Sequence, residues 1–456
     1  MKTMHGETLP LGFRWGAVRA GIKASGNLDV AAAVVTGDGR AAACYTRNLV
    51  VAAPVTVGRT HLARTGGRVQ AVLVNAGNAN CATGEAGVEA CVATCVAAAE
   101  RMGCIFDEVF PSSTGIIGVP LPTEKIVAAL PKLRACLGST PEHAAMFATA
   151  ILTTDTKMKV ARAVVDVDGA EVRIFGVAKG AGMIGPQMGV PVATQAAGLG
   201  HASGSGKAVG PAKAGGSVSA AGSGHAAGSA HAAGSGHAAG SRHATMLVYL
   251  FTDLLAETED LRALLAPAVE RSFNNISIDG DMSTNDTVLL LASGGSGVQA
   301  SARVKEAFGS ALGLVCGSLA QQIVADGEGV GHVVTLHVTG AGTEAEARQV
   351  ARTIADSPLC KTAWSSGDPN WGRLLAAAGR SGVAVEAAKM RIWIGGVAVF
   401  AEGVRSAEFD EAEAHRAMTE REYTIGIDLG MGEAECRFVT CDLTAEYVRI
   451  NADYST

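Results

Sequence analysis

The bond between Ala244 and Thr245, within GSRHATMLVYLFTD (240–253), is where the sequence offers the most chemistry. A Gly/Ser/Ala/His tract runs there straight into one of the most apolar stretches of the chain, with no turn or cap between them. A cut at this bond gives Thr245 a free α-amine beside its own hydroxyl. Such an amine, with an ordinary pKa of about 7.7–8.0, is partly neutral at physiological pH and can take the hydroxyl proton as the oxygen attacks a carbonyl. Acyl transfer of this kind needs donors aimed at a tetrahedral oxyanion. PSSTGIIG (111–118) offers them, because a Gly-containing turn lets a backbone N–H approach closely. Glu328 lies in DGEG (326–329), where a long helical pattern ends and two glycines permit a tight turn. Each feature has a plainer reading. A strand threonine is usually structural, SSTG also reads as a strand-to-loop turn, and a lone Lys or Glu is most often a solvated charge.

Those residues need elements to hold them. The run VQAVLV (69–74) predicts a buried strand, and Val88, Cys91, Val92, Cys95, Val96 and Ala99 fall on one helical face. Thr140-Pro141-Glu142 reads as a helix start, with the helix running to about residue 152. Residues 160–167 and 171–177 flank Asp168-Gly169, a hairpin signal. Beyond Thr245 the pattern predicts a strand at 246–251, a helix at 258–273, a strand at 288–291 and helices at 302–325 and 344–354. Residues 391–450 read mostly as strand with one helix near 410–421, and the alternation over 447–450 predicts a strand that pins the tail NADYST. The mixture favours an α/β layered sandwich of helices and mixed sheets over a single doubly wound sheet. The expected divisions are 1–188 for the first part of a catalytic domain and 189–243 for a low-complexity insertion. The rest of that domain follows at 244–300, then a smaller C-terminal α/β domain at 301–456 whose tail returns to the site.

A chain of 456 residues has room for two or three domains. Its 48% hydrophobic and 18% charged content fits a soluble globular protein, and a net charge of −6 supplies no basic footprint for nucleic acid. Small molecules are the expected partners. The ten cysteines include no CxxC pair and read as reduced, buried thiols. The N-terminus has no apolar h-region, and 246–255 is too short to span a membrane and carries Asp253, so a cytoplasmic location is expected. The tract 189–243 cannot bury enough apolar surface to offset its ordering entropy, and is expected to be a disordered linker. Its His225, His231, His237 and His243, six residues apart, also admit a metal-binding reading, but no metal site is assigned. Asp279 and Asp281 lack the later bidentate glutamate of an EF-hand and read as part of a structural or substrate-shaping loop.

Taken together, VNAGNAN (74–80), PSSTGIIG (111–118), ILTTDT (151–156), KGAGMIGPQM (179–188) and HATMLVYLFTDL (243–254) resemble the ornithine acetyltransferase family. SFNNISIDGDMSTNDT (272–287), DGEG (326–329), SPLCKTAWSSGDPNWGR (357–373) and CDLTAEYVRINADYST (441–456) extend the resemblance over almost the whole chain except the tract. The resemblance implies a precursor that cuts itself between Ala244 and Thr245 into α and β chains, with N-terminal-nucleophile chemistry at the new terminus. Thr245 would take acetyl from N-acetylornithine, release ornithine, and pass the acetyl to glutamate to give N-acetylglutamate. Thr114 and Gly115 would form the oxyanion site. Thr153, with Thr154 adjacent, Lys179, Thr245, Glu328, Asn451 and Thr456 would line the substrate site. Lys179 and Glu328 suit the carboxylate and the amine of a zwitterionic substrate. An α2β2 heterotetramer is implied, no cofactor is assigned, and acetyl-CoA stays open as a second acetyl donor. The family's GPQM is followed at once by ATML, whereas here the tract separates Met188 from Ala244; Ala193-Thr194 lies nearer but lacks the Met-Leu strand. Two other readings stand beside this one: an N-terminal-nucleophile amidase or aminopeptidase with water as acceptor, and a processing-defective, His-rich metal-binding homologue.

Overall fold

Apolar residues at both parities of the central strands force two sheets to stack face to face, with helices on their outer sides. A computed structural model describes residues 9–191 and 245–452. The first sheet has the order β1 (Phe13–Val18), β2 (Val30–Val35), β4 (Ala71–Asn78) and β5 (Val109–Ile116), antiparallel except for the β4–β5 pair. The second runs β6 (Lys159–Val167), β7 (Ala170–Lys179), β9 (Leu247–Thr252), β10 (Thr287–Ala292), β3 (Arg40–Thr46) and β8 (Met188–Gly189). Only β9 and β10 are parallel in it. Leu247, Tyr249 and Phe251 of β9 enter the core between the sheets. Met246, Val248 and Leu250 enter the core under the helices Thr258–Arg271 and Ala302–Ala325. Burial on both faces is why this stretch reads as an unbroken apolar run. The outer face of the first sheet is covered by helices Ala53–Thr65, Gly84–Met102 and Thr123–Ala135.

A third sheet has its own core. Its order is β14 (Val404–Arg405), β13 (Val397–Ala401), β12 (Arg391–Ile394), β15 (Glu422–Asp428), β11 (Val333–Ala341) and β16 (Ala434–Cys441). Helices Glu344–Ala355, Pro358–Ser366, Trp371–Gly379 and Glu411–Met418 pack into that core. The result is the layered α/β arrangement of helices and mixed sheets that the sequence implies. The helix Ala302–Ala325 packs with the second sheet, and the change of core falls within β11, where Val333 still belongs to the second sheet's core and Val334 to the third's.

Local chemistry accounts for most element boundaries. Asp168 and Gly169 both take positive φ and close the β6–β7 hairpin with Val167 opposite Ala170. Proline begins the helices at Pro54, Pro141 and Pro358, as a residue without an N–H to satisfy can do at no loss. Thr140 precedes its helix, Pro141–Ala150, but its hydroxyl bonds the side chains of Glu142 and His143 rather than a backbone N–H. The ten cysteines are unpaired and most are buried.

One expectation is overturned. Residues 447–450 are not a strand; they lie in the helix Ala445–Ala452. The Thr444 hydroxyl caps it by accepting the Tyr447 amide at 3.3 Å, and Glu446 pairs with Arg449 one turn on at 2.7 Å. A cap and a same-face ion pair outweigh an alternation only four residues long. Residues 192–243 of the expected insertion, including the His repeat, lie outside the described residues, as do Ala244 and Thr456.

Phe251 sits at the centre of the inter-sheet aromatic cluster, with ring centroids of Phe13, Trp15 and Phe147 at 5.3, 5.6 and 5.8 Å. Phe251→Ala is expected to lower unfolding free energy by about 3–5 kcal/mol, read as a lower urea midpoint at unchanged slope. A loss under about 1 kcal/mol would show that the cluster does not hold the sheets together.

Candidate active site

Strand parity brings three side chains to one point between the stacked sheets. Thr114 continues the face of Phe110 on β5, Lys179 that of Phe175 and Val177 on β7, and Thr245 that of Leu247, Tyr249 and Phe251. All three are buried. The Thr114 and Thr245 hydroxyl oxygens are 2.5 Å apart. Lys179 Nζ donates to Thr114 Oγ1 at 3.1 Å, to Thr153 Oγ1 at 2.9 Å and to the Thr245 carbonyl at 2.7 Å. All three of its ammonium protons are therefore taken by protein oxygens.

Beside Thr114, Gly115 has φ of +138°, and a Cβ there would lie 2.2 Å from the Gly77 carbonyl carbon and 2.3 Å from the Asn78 nitrogen. The β4–β5 register shifts at this point, a local irregularity of the kind that re-aims backbone groups beside a site.

Burial lowers the Lys179 pKa to about 8, even though the Asp155 carboxylate, 4.0 Å away, pulls it up. Burial alone would raise Asp155. The ammonium groups of Lys179 and Lys159, with hydrogen bonds from Lys159 and the Gly180 amide, overcome this and bring it down to about 2. Lys159 Nζ bridges Asp155 at 2.6 Å and Asp326 at 2.5 Å. Asp326, which also accepts the Thr156 amide, follows the helix Ala302–Ala325 and opens DGEG. One chain of charges thus joins the Thr153–Thr156 loop, Lys179 and the turn that carries Glu328.

Glu328 comes to the site through the backbone of the loop after Lys179. Its amide bonds the Ala181 carbonyl at 2.8 Å, and a Cβ on Gly182 would stand 2.6 Å from its carboxylate, so a side chain there would push the carboxylate aside. Asn451, exposed on the last helix, donates to Glu328 at 3.0 Å. Asp279 ties the same region together by accepting the Met183 and Ile184 amides at 2.7 and 2.9 Å and the Tyr447 hydroxyl at 3.2 Å. The structure therefore brings Thr114, Gly115, Thr153, Lys179 and Thr245 together, with Glu328 and Asn451 across the Ala181–Met183 loop. Thr154 is next to them, and its buried hydroxyl has no hydrogen-bond partner among the described residues.

Sequence reasoning missed Asp155, Lys159, Asp286 and Tyr447. Asp155 and Lys159 lie in a loop and at the start of β6, where their four-residue spacing carries no helical pairing signal. Asp286 accepts the Met246 amide at 2.9 Å, next to Thr245, and burial raises its carboxyl to about 7. Nothing in the sequence marks it beyond its place before a strand. A cavity of about 830 Å³ lined by Tyr45, Arg47, Arg59, Pro191 and Glu270 lies elsewhere, and none of the site residues lines it.

A buried hydroxyl in contact with a second hydroxyl and a lysine of lowered pKa is an arrangement for acyl transfer through an oxygen nucleophile. The ArgJ family model matches residues 14–198 and 216–456. The chain is 41% identical over 448 residues to the arginine biosynthesis bifunctional protein ArgJ of Thermus thermophilus, covering 98% of this chain and 99% of the relative. The protein of the same name from Methylococcus capsulatus is 39% identical over 449 residues, covering 98% and 95%. Among solved structures, the arginine biosynthesis bifunctional protein of Bacillus halodurans is 37% identical, with a TM-score of 0.43, covering 44% of this chain and 96% of that one. An ornithine acetyltransferase of Mycobacterium tuberculosis, complexed with ornithine, is 36% identical with a TM-score of 0.36, covering 40% and 96%. A family model and relatives that span nearly its full length identify this chain as a member of the ArgJ family of bifunctional arginine-biosynthesis proteins.

Proposed function

We propose that the chain cuts itself between Ala244 and Thr245, and that Thr245 then carries acetyl from N-acetylornithine to glutamate. The observation that carries this reading is the contact of Thr245 Oγ1 with Thr114 at 2.5 Å, in a buried site where Lys179 holds both residues. In the cut enzyme the α-amine of Thr245 takes the hydroxyl proton as Oγ1 attacks the acetyl carbonyl. Thr114 and Gly115 stabilise the oxyanion, ornithine leaves with the returned proton, and glutamate repeats the steps in reverse to take the acetyl as N-acetylglutamate.

Thr153, Thr154, Lys179, Glu328, Asn451 and Thr456 line the substrate site in this reading. The Thr154 hydroxyl, without a partner among the described residues, and the Glu328–Asn451 pair supply acceptors and donors for a zwitterion. Acetyl-CoA serves as the second donor that a bifunctional enzyme requires. We assign 1–188 and the segment from 244 onward to one catalytic unit that extends through the helix Ala302–Ala325. The cut chains associate as α2β2, and the unpaired thiols fit the cytoplasm.

The test is acetyl transfer from N-acetylornithine to glutamate, with free acetate measured in the same assay. The reading expects N-acetylglutamate in step with ornithine. Acetate in place of N-acetylglutamate would make the protein an amidase, and neither product would exclude the transferase. Gly115→Ala keeps the backbone N–H but must shift it, because a Cβ there would meet the Gly77–Asn78 backbone; it is expected to lower kcat by up to about 10²–10³-fold, and an unchanged kcat in a folded variant would take Gly115 out of the oxyanion site. N-terminal sequencing should find a chain that begins at Thr245, and Thr245→Ala should stay whole; a fragment that begins at Thr194 would overturn the assignment.

A further inference from the structure

Resting on the self-cleavage reading, we propose that Lys179, acting through the Thr114 hydroxyl, is the base that activates Thr245 to cut its own bond to residue 244. Before the cut, the nitrogen of Thr245 is an amide whose lone pair is delocalised into the carbonyl, so the α-amine that serves later catalysis does not yet exist. Some other group must take the hydroxyl proton. A line of contacts leads to one: Thr245 Oγ1 to Thr114 Oγ1 at 2.5 Å, then Thr114 Oγ1 to Lys179 Nζ at 3.1 Å. Asp286, a second carboxyl near Thr245, accepts the Met246 amide, and among the described residues it bonds neither hydroxyl.

As an ammonium, Lys179 donates to Thr114, Thr153 and the Thr245 carbonyl. As an amine it keeps two protons for Thr153 and the Thr245 carbonyl, and turns its lone pair to Thr114. Thr114 then gives its hydroxyl proton to Nζ and takes the proton of Thr245. Thr245 Oγ1 bonds to the carbonyl carbon of residue 244, the bond from that carbon to the Thr245 nitrogen breaks, and the nitrogen leaves with the proton held on Lys179. Water hydrolyses the resulting ester, its hydroxyl going to the carboxyl of residue 244 and its proton to Thr245 Oγ1. The amine form is accessible near neutral pH because burial lowers Lys179 to about 8. The charged groups that face it are Asp155, Asp286 and Glu328, which raise it, and Lys159, which lowers it, with Lys23 also close enough to interact.

The test follows cleavage of pulse-labelled full-length chain from cell-free translation, chased at pH values from about 6 to 9.5 to span the Lys179 titration. The wild-type rate should rise about tenfold per pH unit and level off above about 8. Lys179→Arg keeps a cation and its hydrogen bonds but cannot give up a proton, and should cleave at least about 100-fold more slowly at every pH. Asp155→Asn should move the midpoint to lower pH, because removing the anion 4.0 Å away favours the amine. A lysine that served only as a strut would give no such shift. A wild-type rate independent of pH, wild-type cleavage by Lys179→Arg, or an unmoved midpoint in Asp155→Asn would each overturn the relay while self-cleavage stands. A wild-type chain that never cleaves would overturn both.

Discussion

A lysine side chain closed away from water between two sheets is the constraint around which this site is built. Burying an ammonium costs several kcal/mol unless it is paired and hydrogen-bonded. Lys179 meets that cost with three oxygen acceptors and a carboxylate 4.0 Å away, and two of the acceptors belong to Thr114 and Thr245. The same bonds that make the lysine tolerable therefore hold the Thr114 hydroxyl and the Thr245 backbone together, and the two hydroxyls meet beside them. Its lowered pKa and the position of Thr245 are consequences of one arrangement.

That arrangement depends in turn on the phase of three strands. β5, β7 and the residues before β9 come from parts of the chain far apart in sequence, and a slip of one residue in any of them would turn its polar side chain away from the inter-sheet core. The aromatic packing of Phe13, Trp15, Phe175 and Phe251 holds the sheets in register with each other. The charge chain from Asp155 through Lys159 to Asp326 then carries the position of Lys179 to the turn bearing Glu328. Buried pairs of this kind add little net stability, so their value here is geometric.

Much of this was legible in the sequence, for identifiable reasons. The β6–β7 hairpin followed from Asp168-Gly169, and the helix Gly84–Met102 and strand β9 from apolar periodicity. The motifs name Thr114, Thr153, Lys179 and Thr245 together, and the structure places them in contact. The tail was misread because four alternating residues mimic a strand, while the cap at Thr444 is a single hydroxyl. Lys179 reads in sequence as a cation for the substrate carboxylate, and sequence does not reveal that three protein oxygens also take its protons. Asp155 and Asp286 escaped notice because a carboxylate that acts by holding a neighbour carries no motif of its own.

The central claim is that the acetyl group rests on the Thr245 hydroxyl between the two half-reactions. Enzyme mixed with N-acetylornithine in the absence of glutamate, quenched in acid and digested for peptide mass spectrometry, tests this directly. The account predicts a single acetyl on the peptide that begins at Thr245, held as an ester that hydroxylamine removes and that added glutamate discharges before the quench. An acetyl on any other residue, or full turnover with Thr245 never modified, would contradict it.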